Sequence, residues 1–165
     1  MDLRQSFVEA MARAATFVSV ITTDGPGGQH GVTVSSMTSV SADGEAPSLL
    51  VCIHHKSPAA AAILQNRAFA ANLLNAAQQG HSDIFSGRDK SDIARFDRVD
   101  WHAGQGGQPL LTDAAASLEC SLKTALLWET HYLMIGQVSA VTLSDQPDAL
   151  LYGNRAYARA VGMQD

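Results

Sequence analysis

Short hydroxyl side chains dominate residues 31–41, GVTVSSMTSVS, where six of the eleven residues are serine or threonine. The stretch begins as a strand in which Val32 and Val34 alternate with Thr33, and this alternation fails at Ser35 and Ser36. Paired short side chains leave the backbone amides accessible, so a flat polar ligand can approach closely. A bulge or kink in an exposed strand explains the same pattern without any ligand. The stretch therefore predicts either a bent surface strand or a binding strand for a planar, hydrogen-bonding group.

A second polar group, HHKSPAA at 54–60, follows the apolar run SLLVCIHH. Ser57 before Pro58 is typical of the N-cap and first residue of a helix, and Lys56 adds a positive charge. The free N–H groups and the dipole at a helix start favour anions. The alternative is an ordinary capped helix beside a solvated lysine. Taken together, the hydroxyl-rich strand and this helix start indicate a ligand with a planar head and a phosphate tail.

The histidines and cysteines do not have the spacing of a metal site. His54 and His55 are adjacent on a predicted strand, so we expect their side chains to point to opposite faces. Cys52 and Cys120 each lie in an apolar run, which is typical of buried small hydrophobic residues rather than of a disulfide framework. We therefore predict that the protein binds no metal.

Length and composition narrow the class of protein. The 165 residues fit one domain over 1–165, and 46% hydrophobic with 16% charged residues is enough to build a core. A formal charge of −5 argues against nucleic acid, which is bound mainly through lysine and arginine. No run approaches the ~20 apolar residues that span a bilayer. The N-terminal residues lack the apolar core of a signal peptide, so we expect a cytoplasmic protein without membrane contact.

Hydrophobic periodicity and turn signals predict the elements that position these residues. Helices are expected at 2–14, after Ser57, at 76–87 and at 91–97. Strands are expected at 17–23, from 31, at 48–55 and at 68–74, with two long strands after Ala115 and a last short strand near 150. The segment at 102–109 is predicted as a loop. This mainly β pattern with flanking helices indicates a barrel-like domain. The absence of a G-x-G-x-x-G that follows a strand and opens a helix argues against a Rossmann fold.

The order of the segments resembles the short-chain NAD(P)H:flavin oxidoreductases that serve two-component monooxygenases. The segments that carry the resemblance run from about Phe7 to Tyr157 and are FVSVITT, DGPGG, GVTVSSMTSVS, PSLLVCIHHKSPAAAAI, FAANLL, F-S-G, T-H and LLYGNRAY. The resemblance implies a flavin-binding split β-barrel that forms a homodimer. It also implies hydride transfer from NADH or NADPH to FMN or FAD, with reduced flavin passed to a partner flavin-dependent oxygenase.

The resemblance also implies the site residues. Those expected to hold the flavin are Thr33, Val34, Ser35, Ser36, Ser39, Val40, Cys52, Lys56, Ser57, Asn72, Phe85, Ser86, Gly87, Arg155 and Tyr157, with Lys56 and Ser57 near the phosphate. His131 is expected beside the flavin, where the nicotinamide stacks, as the catalytic residue. Glu129 departs from the family pattern, which often has glycine there, and a carboxylate at this place would crowd or repel a dinucleotide phosphate.

Other functions remain open at this point. A flavoprotein that reduces a different acceptor, such as a corrinoid or ferric chelate, fits the same residues. A flavin-binding protein without reductase activity is favoured only by Glu129. A plain β-barrel interaction domain leaves Ser35, Ser36, Lys56 and Ser57 without a common purpose. The apolar runs at 118–128 and 132–143 are expected to supply the dimer face.

Overall fold

The computed structural model describes residues 2–163 as a mainly β protein with three α-helices. The helices are α1 (Leu3–Ala12), α2 (Pro58–Asn66) and α3 (Gln79–Ser86). The strands are β1 (Thr16–Phe17), β2 (Ser19–Thr23), β3 (His30–Val34), β4 (Met37–Ser41), β5 (Ser48–His54), β6 (Ala68–Leu73), β7 (Trp101–Ala103), β8 (Pro109–Leu111), β9 (Ala116–Trp128), β10 (His131–Leu143), β11 (Leu150–Gly153) and β12 (Ala156–Arg159).

Seven strands form the main sheet, in the order β3-β2-β6-β9-β10-β5-β4, and all neighbours are antiparallel. The strands β3 and β4 are consecutive in the chain and yet lie at opposite edges of this sheet. Only Ser35 and Ser36 join them, and so short a connection spans roughly 10 Å. The sheet must therefore curl until its edges meet at these two serines. The sheet is not closed, because β3 and β4 do not pair with each other.

The main core fills the inside of the curled sheet, with Ile21, Phe69 and Met134 fully buried. Gly136 permits the close packing of β10 on this core. A Cβ atom at Gly136 would lie 2.5 Å from Cζ of the fully buried Phe69, which is too close for any residue larger than glycine. A smaller core lies under α3 and includes Val20, Leu74 and Phe85. Cys120 is buried in the main core as predicted, and this burial raises the pKa of its thiol to about 12.

Three predicted segments differ in the structure. Only a 3-10 turn, Arg95–Arg98, forms in the predicted helix at 91–97. The predicted loop at 102–109 is part of the β7–β8 hairpin, because the buried carboxylate of Glu119 accepts hydrogen bonds from the N–H groups of Gln105 and Gly106 at 2.9 and 2.6 Å. The tail after 150 forms the β11–β12 hairpin rather than a single strand. The β7–β8 hairpin is held by Glu119 of β9, a partner that the local sequence could not show.

The remaining predicted elements are confirmed in type and approximate position. The turn DGPGG joins β2 and β3 as a hairpin. Ser57 is the N-cap of α2 and Pro58 is its first residue. The helix predicted at 2–14 covers Leu3–Ala12 and starts with a capping box between Asp2 and Gln5. None of the α1 side chains is buried, so its apolar face, which includes Phe7 and Met11, lies open on the protein surface.

Candidate functional site

A polar cavity of 170 Å³ lies where β3, α3 and the β11–β12 hairpin meet. We call it the hydroxyl cavity because six of its nine lining side chains carry a hydroxyl group. The lining residues are Val18, Thr33, Val34, Ser35, Ser82, Ser86, Arg88, Tyr152 and Tyr157. Five of them, Thr33, Val34, Ser35, Ser86 and Tyr157, were predicted from the sequence as binding residues. The fold therefore brings together residues that are more than 120 positions apart in the chain.

Hydrogen bonds tie the three walls of this cavity to one another. The hydroxyl of Thr33 on β3 donates to the carbonyl oxygen of Ser82 on α3 at 2.8 Å. The hydroxyl of Tyr157 on β12 lies 2.8 Å from Oγ of Ser82 and 2.7 Å from a carboxylate oxygen of Asp83. Loss of solvent is the main reason that the pKa of Tyr157 is raised. These hydrogen bonds join β3, α3 and the β11–β12 hairpin, and they favour a fixed shape for the cavity.

Arg88 is a cavity residue that the sequence analysis missed. Its guanidinium donates to the hydroxyls of Tyr157 and Tyr152 at 3.2 Å each, and its Cζ lies 5.2 Å from the Tyr152 ring centre and 5.6 Å from the Tyr157 ring centre. The bond to Tyr152 is the main reason that the pKa of Arg88 is raised. Arg88 directly follows Phe85-Ser86-Gly87, so its position next to a predicted binding turn was the available signal.

A second cavity, of 350 Å³, opens at the start of α2, and we call it the helix-start cavity. It is lined by Gln29, His30, Gly31, Ser57, Pro58, Ala59, Ala94, Arg95, Phe96 and Asp97. The hydroxyl of Ser57 makes no capping bond to the helix. Arg95 is held in the wall by hydrogen bonds to the carbonyl oxygens of Gly31 and Phe85 at 3.2 and 3.4 Å. This cavity therefore offers a free hydroxyl and a helix start to a ligand.

The two cavities lie at opposite ends of β3. Gly31 lines the helix-start cavity, and Thr33 to Ser35 line the hydroxyl cavity. Phe85 is buried and packs against Gly31, where a Cβ atom would lie 2.5 Å from Cε1 of the phenyl ring. Phe85 therefore fixes the contact between α3 and β3. Gly87 ends α3 in the left-handed conformation, with a φ of 73°, and so turns the chain toward Arg88.

The break in the hydroxyl-rich strand lies against β5. The backbone N–H of Cys52 donates to the carbonyl oxygen of Ser36 at 3.3 Å, and the hydroxyl of Ser36 donates to the carbonyl oxygen of Cys52 at 2.8 Å. Burial raises the pKa of the half-buried Cys52 thiol. Ser39 and Val40 follow on β4 with exposed side chains. The alternation of side chains thus fails at Ser35 and Ser36 because the chain crosses there from one edge of the sheet to the other. The cause is not a bulge within one strand.

His131 begins β10 directly opposite His54 of β5. The ring centres of the two histidines are 5.0 Å apart in an edge-to-face arrangement, and Nδ1 of His131 lies 2.9 Å from the Thr130 hydroxyl. Loss of solvent, followed by the charges of His131, His55 and Lys56, lowers the pKa of His54. This arrangement favours a neutral imidazole at His54 next to the predicted catalytic histidine.

The prediction that His54 and His55 point to opposite faces is wrong. The strand β5 ends at His54, and His55 lies in the following turn. Strand alternation therefore no longer applies, and the two ring centres lie 5.0 Å apart. Nδ1 of His54 accepts a hydrogen bond from the Lys56 N–H at 3.1 Å. Among residues 2–163, no group of three or more histidine, cysteine or acidic side chains is placed to hold a metal ion.

Glu129 lies in the tight turn between β9 and β10, two residues before His131. Its φ of 50° is in the left-handed region, where a residue with a side chain is disfavoured by roughly 1–2 kcal/mol. This backbone conformation explains why glycine suits the position. The N–H of His55 donates to the carbonyl oxygen of Thr130 at 2.9 Å and so joins this turn to the loop before α2.

Nine of the fifteen residues expected to hold the flavin line neither cavity, and Asn72, Arg155 and Lys56 are three of them. Asn72 is fully buried, and its amide contacts four groups of the chain, so it has no hydrogen-bonding capacity left for a ligand. Arg155 is exposed and forms an ion pair with Glu9 at 2.7 Å. This ion pair lowers the pKa of the Glu9 carboxyl and joins α1 to the β11–β12 hairpin. Lys56 is exposed beside the start of α2 and does not line the helix-start cavity.

The curled antiparallel sheet has polar cavities at an edge strand and a histidine at a hairpin. These features are those of a β protein that binds a small ligand. The chain belongs to the family described as Flavin reductase like domain, which matches residues 11–160. It is 41% identical over 152 residues to the FMN reductase (NADH) RutF 1 of Methylorubrum extorquens, with 92% of this chain and 74% of that protein covered.

Solved structures are similar over almost the whole chain. One is BorF, the flavin reductase component of a bacterial two-component tryptophan halogenase, with 30% identity, a TM-score of 0.85, and 97% of this chain and 99% of that chain covered. Another is the NADH:FAD oxidoreductase SgcE6 of Streptomyces globisporus in complex with NAD and FAD fragments. It has 27% identity and a TM-score of 0.88, with 99% of this chain and 96% of that chain covered. Within residues 2–163, the helices are too short or too polar to cross a membrane.

Proposed function

We propose that the protein is a flavin reductase that transfers a hydride from NADH to FMN and supplies reduced flavin to a partner oxygenase or halogenase. The observation that carries this proposal is the meeting of five sequence-predicted residues in the hydroxyl cavity, next to the crossing at Ser35 and Ser36. Family membership and the relatives named as FMN reductase (NADH) give the reaction class and both substrates.

The donor set fits the parts of a flavin. The hydroxyls of Ser35 and Ser86 are suited to the polar edge of the ring, which carries both donors and acceptors. The start of α2, with the free Ser57 hydroxyl and the nearby Lys56, is suited to the phosphate. Ser36 contacts Cys52 of β5 next to the crossing, and Ser39 and Val40 follow on β4; these four residues would contact the ribityl chain or the ring face. A flavin would supply the hydride acceptor, and the protein supplies binding and orientation.

His131 is the residue that we propose to orient the nicotinamide. It lies at the exposed end of β10, opposite His54, and its Nδ1 is occupied by the Thr130 hydroxyl. The other ring nitrogen, Nε2, is therefore the atom available to a substrate. Positioning of the two reacting rings is the main contribution that hydride transfer requires from the protein.

We also propose that the whole chain, residues 1–165, is a single split β-barrel domain that acts as a cytoplasmic homodimer. Large apolar side chains are exposed at the end of β9, where Leu126, Leu127 and Trp128 are 55, 47 and 68% exposed. Apolar patches of this kind are usually covered by a partner. Free Cys52 and Cys120 suit a reducing compartment. Sedimentation equilibrium that gives a monomer at micromolar concentration would contradict the dimer.

The first prediction concerns His131. In air, with FMN added, the wild-type protein is expected to oxidise NADH at a rate that saturates with flavin. His131→Ala is expected to lower kcat by roughly 10²-fold, with a much smaller change in FMN affinity, because the side chain meets the nicotinamide. Absorbance at the nicotinamide band measures the rate, and quenching of flavin fluorescence measures the affinity.

His102→Ala is the matched control, because His102 is an exposed histidine on β7 outside both cavities. Its turnover is expected to match the wild type. Absence of NADH oxidation in the wild-type protein with any flavin, together with quenched flavin fluorescence, would favour the flavin-binding protein without reductase activity. Absence of both signals would overturn the proposed function.

A further inference from the structure

Arg88 gives the hydroxyl cavity its charge. Among the nine residues that line this cavity, all within the described part of the chain, Arg88 is the only one that is charged at neutral pH. Asp83 lies nearby, with a carboxylate oxygen 3.6 Å from Nη1 of Arg88, but it does not line the cavity. The same carboxylate oxygen also accepts the Tyr157 hydroxyl at 2.7 Å. A ligand in the cavity therefore meets neutral hydroxyls and one guanidinium.

The guanidinium is held in place before any ligand arrives. Nη1 donates to the Tyr157 hydroxyl and Nη2 to the Tyr152 hydroxyl, while the two tyrosine rings pack edge to face at 5.3 Å and flank the charge. A charge fixed in this way does not need to reorganise when negative charge develops next to it. Arg88 also keeps free N–H donors, since a guanidinium carries five and these bonds use two.

The size of the hydroxyl cavity limits how much of a ligand it can hold. Its 170 Å³ is below the roughly 300 Å³ at which cavities begin to hold a whole small molecule. It is therefore suited to one polar edge of a flavin. Ser57, the residue suited to the phosphate, lines the other cavity at the far end of β3. The geometry thus separates a phosphate end from an end that contains Arg88.

We propose that Arg88 binds the N1–C2=O edge of the flavin and stabilises the negative charge that the ring acquires on reduction. This inference rests on the proposed function. Hydride transfer breaks the C4–H bond of the nicotinamide and forms an N5–H bond on the flavin, which gains two electrons and one negative charge as NAD⁺ leaves. That charge is shared by N1 and the C2 oxygen. Arg88 therefore binds the reduced flavin more tightly than the oxidised flavin.

The test compares oxidised with reduced flavin in Arg88→Gln. Dissociation constants are measured for oxidised FMN by fluorescence quenching and for FMN reduced with dithionite under anaerobic titration. The affinity for reduced FMN is expected to fall about 10-fold more than that for oxidised FMN, which lowers the two-electron potential of the bound flavin by about 30 mV. Riboflavin, which lacks the phosphate, is expected to show the same ratio as FMN.

Three further variants make the result specific. Arg88→Lys keeps the charge, so the two-electron potential of the bound flavin is expected to stay close to that in the wild type. Tyr152→Phe keeps the packing but removes one bond to the guanidinium, so a smaller shift in the same direction is expected. Arg159→Gln changes an exposed cation on the same hairpin that lines neither cavity, and it is expected to leave the potential unchanged. Should Arg88→Gln fail to fold, Tyr152→Phe carries the test.

Two outcomes would overturn the role of Arg88. An affinity loss for FMN but not for riboflavin would place the guanidinium at the phosphate. An equal change in affinity for the oxidised and reduced states, including no change, would show that Arg88 does not stabilise the negative charge of the reduced flavin. Both outcomes are distinct from failure of the proposed function, in which the wild-type protein itself binds neither flavin.

Discussion

Two polar networks in this protein each contain residues that the sequence predicted to bind the flavin, and they differ in how much of their hydrogen-bonding capacity the fold leaves unused. Around Asn72, the side-chain amide donates to the carbonyl oxygen of Val20 and the hydroxyl of Thr22, and it accepts from the N–H of Leu111 and the hydroxyl of Ser117, at 2.8–3.1 Å. All four hydrogen-bonding positions of that amide are used within the fold. The network therefore serves packing and joins β2, β6, β8 and β9.

The hydroxyl cavity shows the opposite balance. Ser35 lines it with an exposed side chain, and its hydroxyl is bonded to no other group in residues 2–163. Arg88 likewise keeps donors that its two tyrosine partners do not use. A polar residue is therefore available for binding only where the fold leaves part of its hydrogen-bonding capacity unused. Asn72→Ala should therefore lower stability without weakening binding, and Ser35→Ala should weaken binding without lowering stability.

The largest expected effect is on stability, in Asn72→Ala. The substitution leaves the Leu111 N–H and the Ser117 hydroxyl without a partner in a fully buried site, so the free energy of unfolding should fall by about 3 kcal/mol. Urea denaturation followed by circular dichroism measures the loss. The folded fraction should bind FMN as the wild type does. An unchanged stability together with weaker FMN binding would show that Asn72 belongs to the binding site after all.

A smaller effect, and one on binding instead of stability, is expected for Ser35→Ala. Loss of a hydrogen bond from a ligand edge costs about 1 kcal/mol, so the dissociation constant of FMN should rise roughly 5- to 10-fold. The free energy of unfolding should change by less than about 0.5 kcal/mol, since the hydroxyl has no partner in the chain. Thr38→Ala, an exposed hydroxyl on β4 outside the cavity, is the control. Equal FMN affinity in Ser35→Ala and Thr38→Ala would contradict the proposed role of Ser35 in binding.

The sequence predicted most of the sheet, because β-branched runs and the DGPGG turn act locally. It also predicted five residues of the hydroxyl cavity, through the family resemblance of the segments GVTVSS, F-S-G and NRAY. It did not reveal that β3 and β4 lie at opposite sheet edges. That fact depends on five strands that come between them in the sheet, and no local pattern of residues 31–41 records it.

The sequence could not show the surroundings of Asn72 and Arg88, and the reason is the same for both. Whether an amide is consumed by its neighbours depends on Leu111 and Ser117, which are about 40 positions away. Whether an arginine faces a cavity depends on Tyr152 and Tyr157, which approach from the far end of the chain. The residue type shows whether a side chain can donate or accept a hydrogen bond. Whether that capacity remains unused depends on its partners in the folded chain.

The smallest expected effect is at Glu129, where the turn next to His131 is strained. Glu129→Gly removes the disfavoured left-handed conformation of a residue with a side chain, at about 1–2 kcal/mol, but it adds freedom to the unfolded chain. The net gain in the free energy of unfolding should be about 0.5 kcal/mol. Removal of the carboxylate should also lower the KM for NADPH more than that for NADH, because NADPH carries the additional phosphate. Steady-state kinetics with both nucleotides measures this ratio.

Asp113→Gly is the matched control for this last variant. Asp113 also has a positive φ, 62°, but lies outside both the hydroxyl cavity and the helix-start cavity. Its stability should rise by a similar amount, while its KM values for the two nucleotides should stay at those of the wild type. If both variants change the nucleotide preference equally, backbone freedom is the cause and the Glu129 charge does not oppose the dinucleotide. If only Glu129→Gly changes the nucleotide preference, the carboxylate beside His131 helps the protein to select NADH over NADPH.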